Sequence, residues 1–303
     1  MKILTLNTHS LMEADNAAAL RHFVDGVLDA MPDVIALQEV NQHRDAAKAD
    51  EALLKGYVAA QSVIPVREDN FAANAVRLLR EAGIDCSWTY LPVKLGYGRF
   101  DEGLAILSLG RKITHTESFL ISRSGEYAFW KTRKVLGVQV EGCADWFYNV
   151  HMGWWNDEEE PFMVQWKILH CFLTTKPRQA PVWLMGDFNA PAETRGEGYD
   201  YIEDTGWYDT YPRAGERRGE ITIPGGIDGW QGGRKLRMGA RIDHVWCSMP
   251  VAVTSSRTVF DGSAQPTVSD HYGVLVEIPP RPVEENAPVT WDDLKPDTIF
   301  ETV

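Results

Sequence analysis

The sequence predicts an α/β fold, on three observations. Short apolar runs recur along the chain and read as strands buried on both faces. Stretches with apolar residues at helical spacing lie between some of them. Two strand–helix–strand units have similar lengths, their strands starting 31 residues apart (2 to 33) and 36 apart (146 to 182).

Each element follows in turn. "KILTLNT" (2–8) is the first strand. "NAAALRHFVDGVLDAM" has apolar residues at 20, 23, 24, 27, 28 and 31, a helical stripe that Pro32 closes. "DVIALQEV" (33–40) is the next strand, and "DNFAANAVRLLREAG" (69–83) a helix ended by Gly83. "GLAILSL" (103–109), "VLGVQVE" (135–141) and "WFYNVHM" (146–152) are strands; "EPFMVQWKILHCFLTT" (160–175) is the third helix. "VWLMGDF" (182–188), "RIDHVWC" (241–247) and "YGVLVEI" (272–278) complete the strands. No linker or low-complexity tract interrupts 1–278, which reads as one domain. From Pro279 the chain is rich in Pro, Glu and Asp, and 279–303 reads as an extended tail.

Composition narrows the function. No apolar run approaches 18 residues, so no membrane span is expected. Met1 runs straight into the first strand with no signal-peptide pattern, which points to the cytoplasm. Cys86, Cys143, Cys171 and Cys247 are scattered, with no CxxC, and are expected reduced and mostly buried. The net charge of −13 opposes a grip on nucleic acid, which needs a basic face. The exception is 213–241, where seven Arg or Lys face three acids, a stretch suited to holding a phosphate or to plain solvation.

The strand ends carry the chemistry. Val182, Trp183, Leu184 and Met185 run into Gly186, and then Asp187 and Asn189 stand at the tip. In α/β sheets ligands bind at such carboxyl ends. An Asx turn explains one tip, but Asn7, Glu39, His151, Asp187, Asn189, Asp243, Asp270 and His271 all end or flank apolar runs. Carboxylates and amides are hard ligands suited to Mg²⁺ or Mn²⁺. There is no HExxH, no GxxxxGK[ST] and no GxSxG, against a zinc peptidase, a P-loop enzyme and an α/β-hydrolase.

"LTLNTH", "IALQEV", "YNVH", "GDFNAP", "RIDHVW" and "SDH", in this order, resemble the endonuclease/exonuclease/phosphatase superfamily of metal-dependent phosphohydrolases, across residues 2–278. The resemblance implies a four-layer α/β/β/α sandwich, two mixed sheets face to face with helices outside. It implies Glu39 as main metal ligand with Asn7 beside it, and Asp270 as a further ligand. Asp187 would deprotonate the attacking water, Asn189 would donate to phosphoryl oxygens, and His151 and His271 would contact the phosphate, His271 held as a cation by Asp243. The implied cofactor is Mg²⁺, or Mn²⁺.

The substrate is less constrained. "YGRFDEGLAIL", "WKTRK" and "IDGW" resemble a Gram-positive bacterial branch that includes maltose 6'-phosphate phosphatase, which implies a soluble sugar-phosphate phosphatase. Arg133 and Lys131 are then candidates near the phosphate, and Asp228 and Trp230 candidates for sugar hydroxyls and a ring face. Trp154, Trp155, Tyr97 and Phe100 supply further aromatic surface near the motifs, although tryptophans more often fill a core. The expected partner is a small-molecule phosphate ester. The alternative is a nuclease or phosphodiesterase, DNA-repair-like or phospholipid-cleaving; a catalytically silent binding module is the third reading.

Overall fold

The computed structural model of the protein describes residues 1–176, 180–225 and 239–280. Asp228 and Trp230, three of the seven basic residues of 213–241 (Arg234, Lys235, Arg237), and nearly all of the expected tail lie outside them.

The element order is β1 (Lys2–Asn7), α1 (Asn16–Ala30), β2 (Val34–His43), α2 (Phe71–Glu81), β3 (Cys86–Gly96), β4 (Phe100–Leu109), β5 (Ile113–Leu120), β6 (Lys134–Val140), β7 (Trp146–His151), α3 (Phe162–Leu173), β8 (Val182–Asp187), α4 (Gly198–Asp204), β9 (Tyr208–Asp209), α5 (Thr210–Arg213), β10 (Ala214–Arg218), β11 (Asp243–Cys247), β12 (Val253–Val259) and β13 (Gly273–Glu277). All three expected helices are present. The Asp15 side chain caps α1 by accepting from Ala18 N at 2.9 Å, and Asn70 caps α2 by accepting from Ala73 N at 3.0 Å.

Two mixed sheets form, in the orders β10-β12-β13-β1-β2-β4-β3 and β5-β6-β7-β8-β11-β9. The two βαβ units sit inside them, β1 parallel to β2 in one sheet and β7 parallel to β8 in the other. Ile3, Ala36 and Ile106 of the first sheet meet Leu136, Phe147, Trp183 and Met185 of the second in one apolar core. Helices α1 and α2 cover the outer face of the first sheet through Phe23, Val27, Phe71 and Val76. Helix α3 covers the second through Phe162, Trp166 and Leu169. This is the expected sandwich of two sheets between helices.

A polar pin crosses the core. Asn149 donates from Nδ2 to Leu37 O and Ala105 O at 2.8 Å each, and its Oδ1 accepts from Gln38 Nε2 at 2.6 Å. Every polar atom of that buried amide is satisfied, which fixes β7 against β2 and β4.

The strands that apolar runs do not reveal are β3, β5, β9, β10 and β12. Strand β12 buries only every third residue, Val253, Ser256 and Val259, which gives neither an apolar run nor a two-residue alternation, and β5 and β10 are edge strands with one buried residue each. No disulfide joins the cysteines; Cys86 and Cys247 are buried as expected, whereas Cys171 is exposed on α3.

Candidate active site

Strand geometry gathers the tips. His151 ends β7 beside Asp187, its register partner on parallel β8, and Asp243 begins β11 as the antiparallel partner of the same Asp187. Three chemically active side chains thus stand abreast on three neighbouring strands. From the opposite sheet Asn7, at the end of β1, donates from Nδ2 to Asp187 Oδ2 at 3.2 Å and to Glu39 Oε1 at 3.0 Å. It ties together carboxylates from the two halves of the sandwich.

Glu39 reaches this place through a break in β2. Pairing to β4 slips between Leu37 and Val40, and Glu39 has φ 50°. An extra residue in the left-handed region is a β-bulge, a device that re-aims a side chain. Asn189 is likewise left-handed, with φ 49°, so that its N–H donates to Asp187 Oδ1 at 2.9 Å and its Nδ2 to Met152 O at 2.9 Å. Gly186, with φ 151°, sets up this tip: a Cβ there would lie 1.9 Å from Val150 O.

His271 and Asp243 form a buried pair, Nδ1 lying 3.0 Å from Oδ2. Burial opposes the imidazolium, but the Asp243 charge outweighs it and His271 is pushed up to about 10. Its Nε2 lies 3.9 Å from Asp187 Oδ2, and His151 Nε2 3.6 Å from the same oxygen. Asp187 is pushed up to about 7, by burial first and then by Asp243. His151 is held well below its ordinary value by burial and by Arg133, Lys94 and His271, so its imidazole is neutral.

The cluster lines a cavity of about 310 Å³. Glu39, Asp187, Asn189, His151, Asp270 and His271 line it together with His9, Lys94, Tyr97, Glu102, Trp130, Arg133 and Trp154. Asp270 is a half-exposed rim residue, 3.9 Å from His9 Nδ1.

Three residues expected near the substrate do not line this cavity. Lys131 pairs with Asp157 and Glu159, at 2.7 Å each, with its Nζ 5.2 Å from the centre of the Trp130 ring, and does not itself line the cavity. Trp155 packs on Phe162 and Tyr201 in the core outside the second sheet. Phe100 is buried against His43. The described cations of 213–241 also face elsewhere: Arg241 is buried on Tyr211, Arg213 stacks on Tyr208 and Arg218 pairs with Glu216. The cavity's cations are instead Lys94 and Arg133, both buried, with Lys94 Nζ 3.0 Å from Glu102 Oε1. Arg133 was expected; Lys94, Glu102 and Trp130 were not. A lone lysine inside the apolar segment "TYLPVKL" was the available signal.

The donor set fits a divalent cation. Glu39 and Asp270 offer hard carboxylate oxygens beside the Asn7 amide. Burial and the charge of Glu102 raise Glu39 above its ordinary value, and Lys94, which partly offsets this, is bound to Glu102. Such an excess of negative potential is what a bound cation relieves. Among the described residues, His9, Glu13 and Asp270 bring ligand atoms within 4.8 Å of one another, as do Asp187, Asp243 and His271. The second group already holds an imidazolium and needs no ion to stand together.

The Endonuclease/Exonuclease/phosphatase family model matches residues 4–271, nearly the whole described chain and every residue of the cluster. The chain belongs to this family. Its members are metal-dependent phosphoric ester hydrolases, phosphatases and nucleases among them. No curated protein matches the chain. Among solved structures, a family protein from Leptotrichia buccalis is 26% identical at a TM-score of 0.78, over 92% of this chain and 99% of that one. A mannosyl-6-phosphatase from Bacteroides thetaiotaomicron is 18% identical, with a TM-score of 0.60 over 92% and 99%. D. rerio TDP2 complexed with a single-strand DNA product is 14% identical, with a TM-score of 0.57 over 91% and 97%. At such identities these last two share the fold, and no helix is long and apolar enough to cross a membrane among the described residues.

Proposed function

We propose that the protein is a Mg²⁺- or Mn²⁺-dependent phosphatase of a soluble phosphomonoester, a phosphorylated sugar above all. The observation that carries this reading is the cavity itself. Its volume of about 310 Å³ is near the lower end of the range for small-molecule sites, roughly 300–1,000 Å³. Its cations are buried in its walls, and the chain as a whole carries a net charge of −13. A polyanionic strand needs a basic track, which these features do not supply. The resemblance to a mannosyl-6-phosphatase agrees, while the likeness to a DNA-bound relative keeps the nuclease reading as the alternative.

The metal would be held by Glu39 and Asp270, with Asn7 beside them; once bound it supplies charge neutralisation at the phosphoryl oxygens. The rest is done by side chains. Asp187, with a pKa of about 7, is ionised enough at neutral pH to accept a proton from water. The Asn7 and Asn189 donors aim that carboxylate. His271, cationic against Asp243, and the Arg133 guanidinium offer positive charge where the phosphoryl oxygens gain negative charge. Neutral His151 offers a further phosphate contact without repelling its neighbours. Water oxygen bonds to phosphorus and its proton passes to Asp187; the phosphorus–oxygen bond to the sugar breaks, and the sugar oxygen leaves with the bonding pair and takes up a proton from solvent. In this reading residues 1–278 act as one catalytic domain.

The test is kcat/KM on disaccharide 6-phosphates and on abasic duplex DNA at matched salt. The sugar phosphates are expected to win. A tenfold or greater preference for the DNA replaces this reading with the nuclease.

A further inference from the structure

We infer that Trp130 and Trp154 form a ring-recognising wall that makes the enzyme select cyclic sugar phosphates over acyclic phosphate esters; this rests on the phosphatase reading above.

The observations are independent of the metal. Trp130 is 48% exposed, one of the few large apolar side chains in that state, and it lines the same cavity as Asp187 and His271. Its ring lies 5.7 Å from that of Trp154, tilted by 52°. Two indoles set at that angle offer two differently oriented faces on one side of the cavity. An exposed indole in contact with water gains by covering its face with the C–H surface of a pyranose, whereas a short acyclic ester offers too little surface to cover it.

The wall is fixed in place. Trp154 lies 5.9 Å under the buried Arg133 guanidinium, and Arg133 Nη1 donates to Trp130 O at 3.2 Å. Arg133 therefore joins the two indoles to the phosphoryl end of the cavity, where His151 lines the same wall. Tyr97, 48% exposed, lines the cavity as well and adds a third aromatic surface.

The experiment compares wild type, Trp130→Ala, Trp154→Ala and Trp130→Phe in Mg²⁺ with two substrates, a hexose 6-phosphate and glycerol phosphate. In wild type the hexose phosphate is preferred in kcat/KM. Each alanine variant is expected to lower that preference about 3- to 10-fold, the weight of one aromatic contact, mainly through KM, and Trp130→Phe to restore part of it. Trp130 is half-exposed, so its variant folds even if Trp154→Ala does not. Unchanged preference in Trp130→Ala, with wild type active on both esters, overturns the wall and leaves the phosphatase reading standing. A wild type that cleaves DNA and neither monoester overturns both.

Discussion

Replacing Asp243 with Asn isolates the charge that governs the cavity. Asp243 is fully buried, and its backbone N–H donates to Thr222 Oγ1 at 3.1 Å, so an isosteric amide keeps the local backbone bond. What it removes is the counter-charge of His271. Burial is then opposed only by the weaker pull of Asp187 and Asp270, and its pKa falls from about 10 toward its ordinary 6.5. At pH 8 a group of pKa about 10 is almost wholly protonated; one of pKa about 6.5 is protonated in roughly one molecule in 30. Loss of the cation alone thus lowers kcat/KM at pH 8, by up to about 30-fold for a fall all the way to 6.5. The Asp243 charge also helps hold Asp187 at about 7, so the acid limb drops too. The wild-type profile rises at or below about pH 7 and falls toward about 10; that of Asp243→Asn shifts to lower pH on both sides. Full pH–kcat/KM profiles, with histidine titration by NMR, provide the assay. An alkaline limb that stays near 10 in Asp243→Asn refutes the coupling.

Asp187→Asn and His271→Ala are each expected to lower kcat by about 10²- to 10⁴-fold with an unchanged circular dichroism spectrum, since both stand at strand tips; near wild-type turnover in either removes that residue from the mechanism. EDTA should abolish turnover, and Mg²⁺ or Mn²⁺ restore it. Asp187 binds a proton more tightly folded than unfolded, so its contribution to stability is lost as pH rises from about 4 through about 7. Glu39, itself raised by burial, would hold the cation in competition with protons, so the cation should raise the melting temperature more at pH 8 than at pH 5, and an equal shift at both contradicts the site. Gly186→Ala, whose Cβ meets Val150 O, should destabilise by about 2 kcal/mol or more in urea unfolding.

The parts of the fold that were legible are those whose residues face apolar surroundings on both sides. Strands β1, β2, β7 and β8 lie in the middle of their sheets and read as unbroken apolar runs. Strand β12 buries every third residue, and β5 and β10 one residue each, so their patterns merge with loops. The tip residues were legible because a polar residue ending a buried run has no packing reason to be there. Their chemistry depends on the local backbone: the bulge that aims Glu39 and the left-handed Asn189 leave no periodicity to read. The far wall was not legible. Lys94, Glu102 and Trp130 come from β3, β4 and a loop, and only the pairing of β3 with β4 and their packing on the second sheet bring them to His151. Among the described residues of the basic stretch at 213–241, linear proximity to Asp243 is not proximity to the cavity: Arg241 turns to Tyr211 instead.

The central claim is that water activated by Asp187 attacks phosphorus in a metal-dependent cavity. Hydrolysis of a hexose 6-phosphate in ¹⁸O-labelled water tests it most directly. The account predicts one labelled oxygen in each inorganic phosphate released and none in the sugar, with release abolished by EDTA and at least about 10²-fold slower in Asp187→Asn. Label in the sugar hydroxyl, or full release in excess EDTA, contradicts it.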